Sequence, residues 1–131
     1  MLPNGLKLSI AKRVHVHVNP SRDLHGPCVV RAGNGDLLLC HQDSDHHHGG
    51  DGFTHQWRSH DNGFPWQDEG PVADWRDRKI DSLFGQYGRA PNGRLVMIVQ
   101  RRKVLGDDLG IIASWLQVSD DDGKTWREIG P

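Results

Sequence analysis

Carboxylates and imidazoles crowd one short stretch of this chain: Asp43, Asp45, His46, His47, His48 and Asp51. These are the side chains of proton transfer and of metal ligation. Their spacing matches no metal-binding motif, so neither a metal nor a cofactor is expected, and a flexible polar loop is the alternative. Arg22 and His25 precede the stretch, and Arg101, Arg102 and Lys103 follow it. Cationic and hydrogen-bonding groups of this kind can hold an anion or a sugar hydroxyl. His15 and His17 alternate with Val14, Val16 and Val18. On a strand they would share one face, as metal donors or simply as solvated side chains.

What must position these residues is a repeat. Ser119-Asp120-Asp121-Asp122-Gly123-Lys124-Thr125-Trp126 reads S-x-D-x-G-x-T-W. Ser59-His60-Asp61-Asn62-Gly63-Phe64-Pro65-Trp66 repeats it 60 positions earlier, with Pro65 in place of the Thr. The spacing suits a tight turn between strands. The Asp accepts from the turn's own N–H groups, the Gly takes a positive φ, and the Trp enters the next strand. Arg31 to Gly35 match Arg89 to Gly93, and Leu37 to Leu39 match Leu95 to Met97, at an offset of 58. Short strands are expected over 28–31, 36–41, 53–59 and 66–69, and then again in the second copy. Cys28 and Cys40 fall on strands expected to pair, either as buried thiols or as a cross-strand disulfide.

A repeat of this length with four strands is one propeller blade. The chain then divides into a strand and loop over 1–27, a first blade over 28–71 and a second over 72–131. Two blades cannot close a ring of about four to eight. Further blades are expected from the same chain or by oligomerisation, because open blade faces are apolar. The Val14–Val18 strand would complete a last blade.

Composition agrees with an all-β protein: 16 Gly, 5 Trp and 35% hydrophobic residues in 131. With 25% charged residues and a net charge of −1, the chain carries no basic footprint for nucleic acid. It has no apolar run long enough for a membrane helix. Residues 1–18 lack the apolar core of a signal peptide, so the cytoplasm is the default if Met1 is the true start.

The paired turns, the run Gly26-Pro27-Cys28-Val29-Val30-Arg31 before Asn34-Gly35-Asp36-Leu37-Leu38, and the repeat length together resemble the sialidase (neuraminidase) superfamily. Its turn motif is the Asp-box of BNR repeats, and the resemblance covers about residues 25–131. It implies a β-propeller, six-bladed when complete. The boxes would be structural, which gives that role to Ser59, Asp61, Gly63, Trp66, Ser119, Asp121, Gly123 and Trp126. The active site would lie on the opposite face, among loops 19–27, 42–52, 73–83 and 101–109.

In that family three arginines clamp the substrate carboxylate, an Asp is the acid/base and a Tyr–Glu pair is the nucleophile. His25-Gly26-Pro27 stands where the family's R-I-P opens, which puts His25 at the first arginine position with Arg22 nearby. Asp45 and Asp51 flank the expected acid/base position. Arg22, His25, Asp43, His48, Arg101 and Arg102 are the expected substrate-binding residues. The function so implied is an exo-acting glycoside hydrolase that takes sialic acid or another terminal sugar. A non-catalytic propeller that binds a glycan or a protein is the alternative. A metal-dependent enzyme would need the histidine loop, His25 and His41 to converge.

Overall fold

Strand alternation decides which residues of this chain meet. The computed structural model describes residues 5, 7, 9, 10, 12–47, 50–105 and 108–131. Strands β1 (Asp23–Arg31), β2 (Leu37–Ser44), β3 (Phe53–Ser59) and β4 (Gln67–Ala73) form one antiparallel sheet in sequence order. After a 3-10 turn at Arg76–Arg78, strands β5 (Ile80–Arg89), β6 (Leu95–Leu105), β7 (Asp108–Ser119) and β8 (Arg127–Gly130) form a second. The protein is all-β, in two four-stranded antiparallel meanders.

The two meanders match in register. Leu39 pairs with Trp57 and Met97 with Gln117. Each inner pair carries a bulge at the same place, between His25 and Cys28 and between Leu83 and Gln86. One face of each sheet packs on the other. Leu38 and Ala32 meet Leu95, while Ala73 and Trp75 meet Met97 and Val99. Tyr87 and Trp126 join both clusters, and their rings stack 5.6 Å apart.

The paired turns close as their residue types require. Ser59 Oγ accepts from the Gly63 amide at 2.9 Å, and Ser119 Oγ from the Gly123 amide at 2.8 Å. Asp121 accepts from the Thr125 hydroxyl at 2.6 Å and amide at 2.9 Å. Bonds from Thr125 pull the Asp121 carboxyl down to about 2. Pro65 occupies the Thr position in the first turn and can donate neither bond. The second turn also docks on the first sheet. Asp122 Oδ1 accepts from the Gly33 amide at 2.7 Å, and the buried Arg58 donates to the Asp122 carbonyl at 3.0 Å.

Two expectations are corrected, and the cysteine pair takes one of its two readings. Val14–Val18 is not a strand: residues 12–18 are irregular, and His17 lies across the outer face of the first sheet. The segment meets that sheet through ring packing on its face instead of through a ladder at its edge, so the alternation there does not signal pairing. The second strands run further than read, to Ser44 and Leu105, which puts Asp43, Arg101 and Arg102 on strands and not in loops. Cys28 and Cys40 are free thiols, one half-buried and one buried.

The second turn yields a test. Gly63 and Gly123 have φ of 97° and 79°, so alanine is strained at either. At Gly123 an added Cβ would also overlap Leu38 Cδ1, whereas at Gly63 the nearest atom is Trp66 Cζ2 at 3.7 Å. Gly63→Ala should cost about 1 kcal/mol, and Gly123→Ala a further ~1–3 kcal/mol from overpacking. Urea unfolding of the two variants measures the difference, and equal costs would contradict the docking of this turn.

Candidate functional site

The ends of β1, β2, β5 and β6 remote from the paired turns carry polar side chains, and the two sheets bring them together. On β2, Leu38, Cys40 and Gln42 alternate toward the second sheet, so Gln42 is a fully buried amide at the end of an apolar row. His25 is its partner across β1. From the second sheet come Asp81 on β5 and its cross-strand partner Arg102 on β6. Arg102 donates to Asp81 Oδ2 at 2.8 Å, with the Asp81 side chain wholly buried. Gly52 admits this carboxylate, since a Cβ there would overlap Asp81 Oδ1 and lie 3.1 Å from Gln42 Nε2.

The cluster is short of partners. Both ring nitrogens of His25, both amide atoms of Gln42, Asp81 Oδ1 and Arg102 Nε are buried with no well-aligned hydrogen bond among the described residues, although Gln42 lies near enough to His25, and the Gly52 backbone to Asp81, to favour their charged forms. Each such atom is costly without a partner of some kind. Burial raises the Asp81 carboxyl above its ordinary range, against the pull of Arg102. Burial also lowers His25, and the neighbouring His47 adds to that. The cluster therefore disfavours charge on both groups and offers a mixture of donors and acceptors.

Beside it Arg22 holds two carboxylates. Its guanidinium donates to Asp43 Oδ1 at 2.6 Å and to Asp51 Oδ2 at 2.7 Å. Burial works against the Asp51 charge, but bonds from Arg22 and the Asp45 amide keep its pKa below the usual carboxylate range. Asp45 is half exposed and faces His46 at 2.8 Å. Phe53 lies between Arg76, 4.2 Å above its ring, and Arg22 at 5.7 Å.

The structure gathers the expected residues unevenly. Arg22, His25, Asp43, Asp45 and Asp51 share one rim, and Arg102 joins it through Asp81. Arg101 does not. Its side chain is sandwiched between Trp75 and Trp115 at 3.6 and 3.8 Å and paired with Glu128 at 2.8 Å, which makes it part of the packing. His48 lies outside the described residues. Among those residues no group of three or more His, Cys, Asp or Glu side chains could hold a metal. Gln42 and Asp81 fall within the expected rim loops 42–52 and 73–83 but outside the expected catalytic and substrate-binding set. The legible signal was a polar residue on the inward-facing phase of an otherwise apolar strand.

A second histidine group occupies the outer face of the first sheet. His41 Nδ1 lies 2.9 Å from the Gln42 carbonyl, and its Nε2 accepts from Trp57 Nε1 at 3.0 Å. Those partners define a neutral ring protonated on Nδ1. The rings of His55 and Trp57 stack 5.0 Å apart, and His17 covers them from the N-terminal segment. Val14, His15, Val16 and His17 roof a cavity of about 300 Å³ over Leu24, Leu39 and His41.

No family model matches the chain, and no curated protein matches it either. Its fold is similar to the crystal structure of a protein of unknown function from Dyadobacter fermentans, with a TM-score of 0.71 at 14% identity. The match covers 86% of this chain and 37% of the other, so this chain spans little more than a third of that protein. At this identity the likeness is one of fold alone.

Two outcomes follow from the site. Arg102→Met strands a buried carboxylate and should cost about 3–5 kcal/mol, while adding Asp81→Leu should recover most of the loss. Chemical denaturation of both variants checks this, and a double variant no better than the single would refute the pairing. His41 sets a pH dependence. Burial holds it below 6.5, with His55 and His17 opposing its charge and Asp43 favouring it. Its neutral form thus contributes fully above pH 6.5, and the contribution is lost as pH falls toward the folded pKa. Between about pH 7 and 5, stability should fall more steeply in the wild type than in His41→Gln.

Proposed function

We propose that the two meanders are two blades of a sialidase-like β-propeller, with the paired turns as Asp-boxes, and that the opposite rim binds a glycan. Matched registers, matched bulges and face-to-face sheets support the propeller reading. Further blades, from the same chain or from other copies, complete the ring. One observation carries the binding assignment. Buried, unpartnered polar atoms of His25, Gln42, Asp81 and Arg102 converge from both sheets on the rim that carries Arg22, Asp43 and Asp51. A sugar presents closely spaced hydroxyls that both donate and accept, which suits the solvent-reachable Arg22, Asp45 and Asp51 of this polar rim.

Binding is favoured over hydrolysis within these two blades. Asp43 and Asp51 are engaged by Arg22, and an Asp51 held below the usual range is a poor proton donor. The glycoside hydrolase reading rests on Asp45, which is exposed on the same rim, and on the Asp81 carboxyl, which holds its proton more readily than usual. In that reading the nucleophile comes from other blades.

The test is a glycan array probed with the full-length protein, followed by calorimetry on the best ligand. Arg22→Ala should weaken binding at least ~10-fold, the value of one lost charged hydrogen bond. An array without any bound glycan would refute the binding assignment. Turnover of a fluorogenic sialoside or other glycoside, abolished by Asp45→Ala, would instead establish the hydrolase.

A further inference from the structure

We propose that Cys28 and Cys40 are an oxidation site: a peroxide joins them in a cross-strand disulfide that clamps β1 to β2 beside the candidate rim. The two are direct partners in the antiparallel ladder. Residues so placed have Cα atoms about 4.5–5.5 Å apart, within the ~4.4–6.8 Å that a disulfide spans. Both sulfurs also project to the same side. Cys28 Sγ accepts from the Tyr87 amide at 3.3 Å, and Cys40 Sγ donates to the Gly85 carbonyl at 3.2 Å. Gly85 and Tyr87 lie two residues apart on β5, so the thiols sit side by side against one short segment of backbone. The equivalent positions of the second sheet are Gln86 and Ile98, so the repeat itself does not demand a sulfur pair here.

The two thiols are unequal in a way that orders the chemistry. Cys28 is half-buried and within reach of a small oxidant; Cys40 is fully buried. Peroxide transfers one oxygen to the Cys28 sulfur, giving a sulfenic acid and one water. The Cys40 sulfur then attacks the Cys28 sulfur. The S–S bond forms as the S–O bond breaks, and the oxygen leaves as water with the Cys40 proton. Two thiols are oxidised and one peroxide is reduced. Burial pushes the Cys40 thiol up to about 12, so little of it is thiolate, and its closeness to Cys28 carries the second step. The product ties the strands beside the His25–Cys28 bulge, where His25 is set against Gln42.

The test treats the full-length protein with hydrogen peroxide, then denatures, alkylates and weighs it. The expected product is lower in mass by two hydrogens, takes up no alkylating agent at Cys28 or Cys40, and yields a single linked peptide on digestion. Its melting temperature rises by roughly 5 °C and returns on reduction. Cys40→Ser removes the resolving thiol and should carry Cys28 on to the sulfinic acid. Two thiols still open to alkylation after a free reference thiol has been consumed would overturn the proposal. So would wild-type Cys28 reaching the sulfinic acid while Cys40 stays reduced.

Discussion

The carboxamide of Gln56 joins the two sheets, and most of the interface is arranged around it. Its Nε2 donates to Glu69 at 2.6 Å and to the Gly123 carbonyl at 2.8 Å. Its Oε1 accepts from the Tyr87 hydroxyl at 2.6 Å and from Trp126 Nε1 at 3.1 Å. An amide can make four hydrogen bonds, and this one makes all of them while 1% exposed. Strand β3 thereby reaches the second turn, the inner strand β5 and the start of β8 through one side chain. The stacked Tyr87 and Trp126 rings are held at their polar ends, and the apolar clusters can pack on both sides. Arg58, two residues on, repeats the device with Glu69, Asp36 and the Asp122 carbonyl.

The opposite end of the sheets has the reverse condition. There the polar groups are gathered but not satisfied. Gln42 follows Gln56's logic, as a buried amide facing the second sheet, yet neither of its amide atoms finds a well-aligned partner among the described residues. Asp81 and Arg102 neutralise one another and leave one carboxylate oxygen and one guanidinium nitrogen unused. Satisfied networks thus lie near the turns, and buried polar atoms without a well-aligned hydrogen bond among the described residues lie at the far rim.

Much of this was readable in the residues. The doubled S-x-D-x-G motif and the 58-residue offset located eight strands in two units, because turn chemistry and strand alternation are local properties. The rim position of Arg22, Asp43, Asp45 and Asp51 followed from which connections share an end. The particular partners did not, since they depend on contacts distant in sequence. Arg101 and Arg102 are neighbours in an exposed-looking Arg-Arg-Lys run. Neighbouring positions on β6 project to opposite sides, so one enters a tryptophan sandwich and the other meets Asp81. The alternation of Val14 to Val18 misled because period two reports a possible strand, not an available edge.

The outer face of the first sheet bears on how such units can stack. Leu39, His41, His55 and Trp57 stand at the repeat positions of Met97, Val99, Trp115 and Gln117. In the second sheet those positions meet another sheet, whereas in the first they meet rings of the N-terminal segment. On the far face of the second sheet Ile98 is exposed. A unit packing on the first sheet would meet His17 and the imidazoles, where the second sheet presents valine and tryptophan. A neighbouring unit would therefore meet unlike surfaces on the two sides, rings under His17 on the first sheet and an exposed Ile98 on the second.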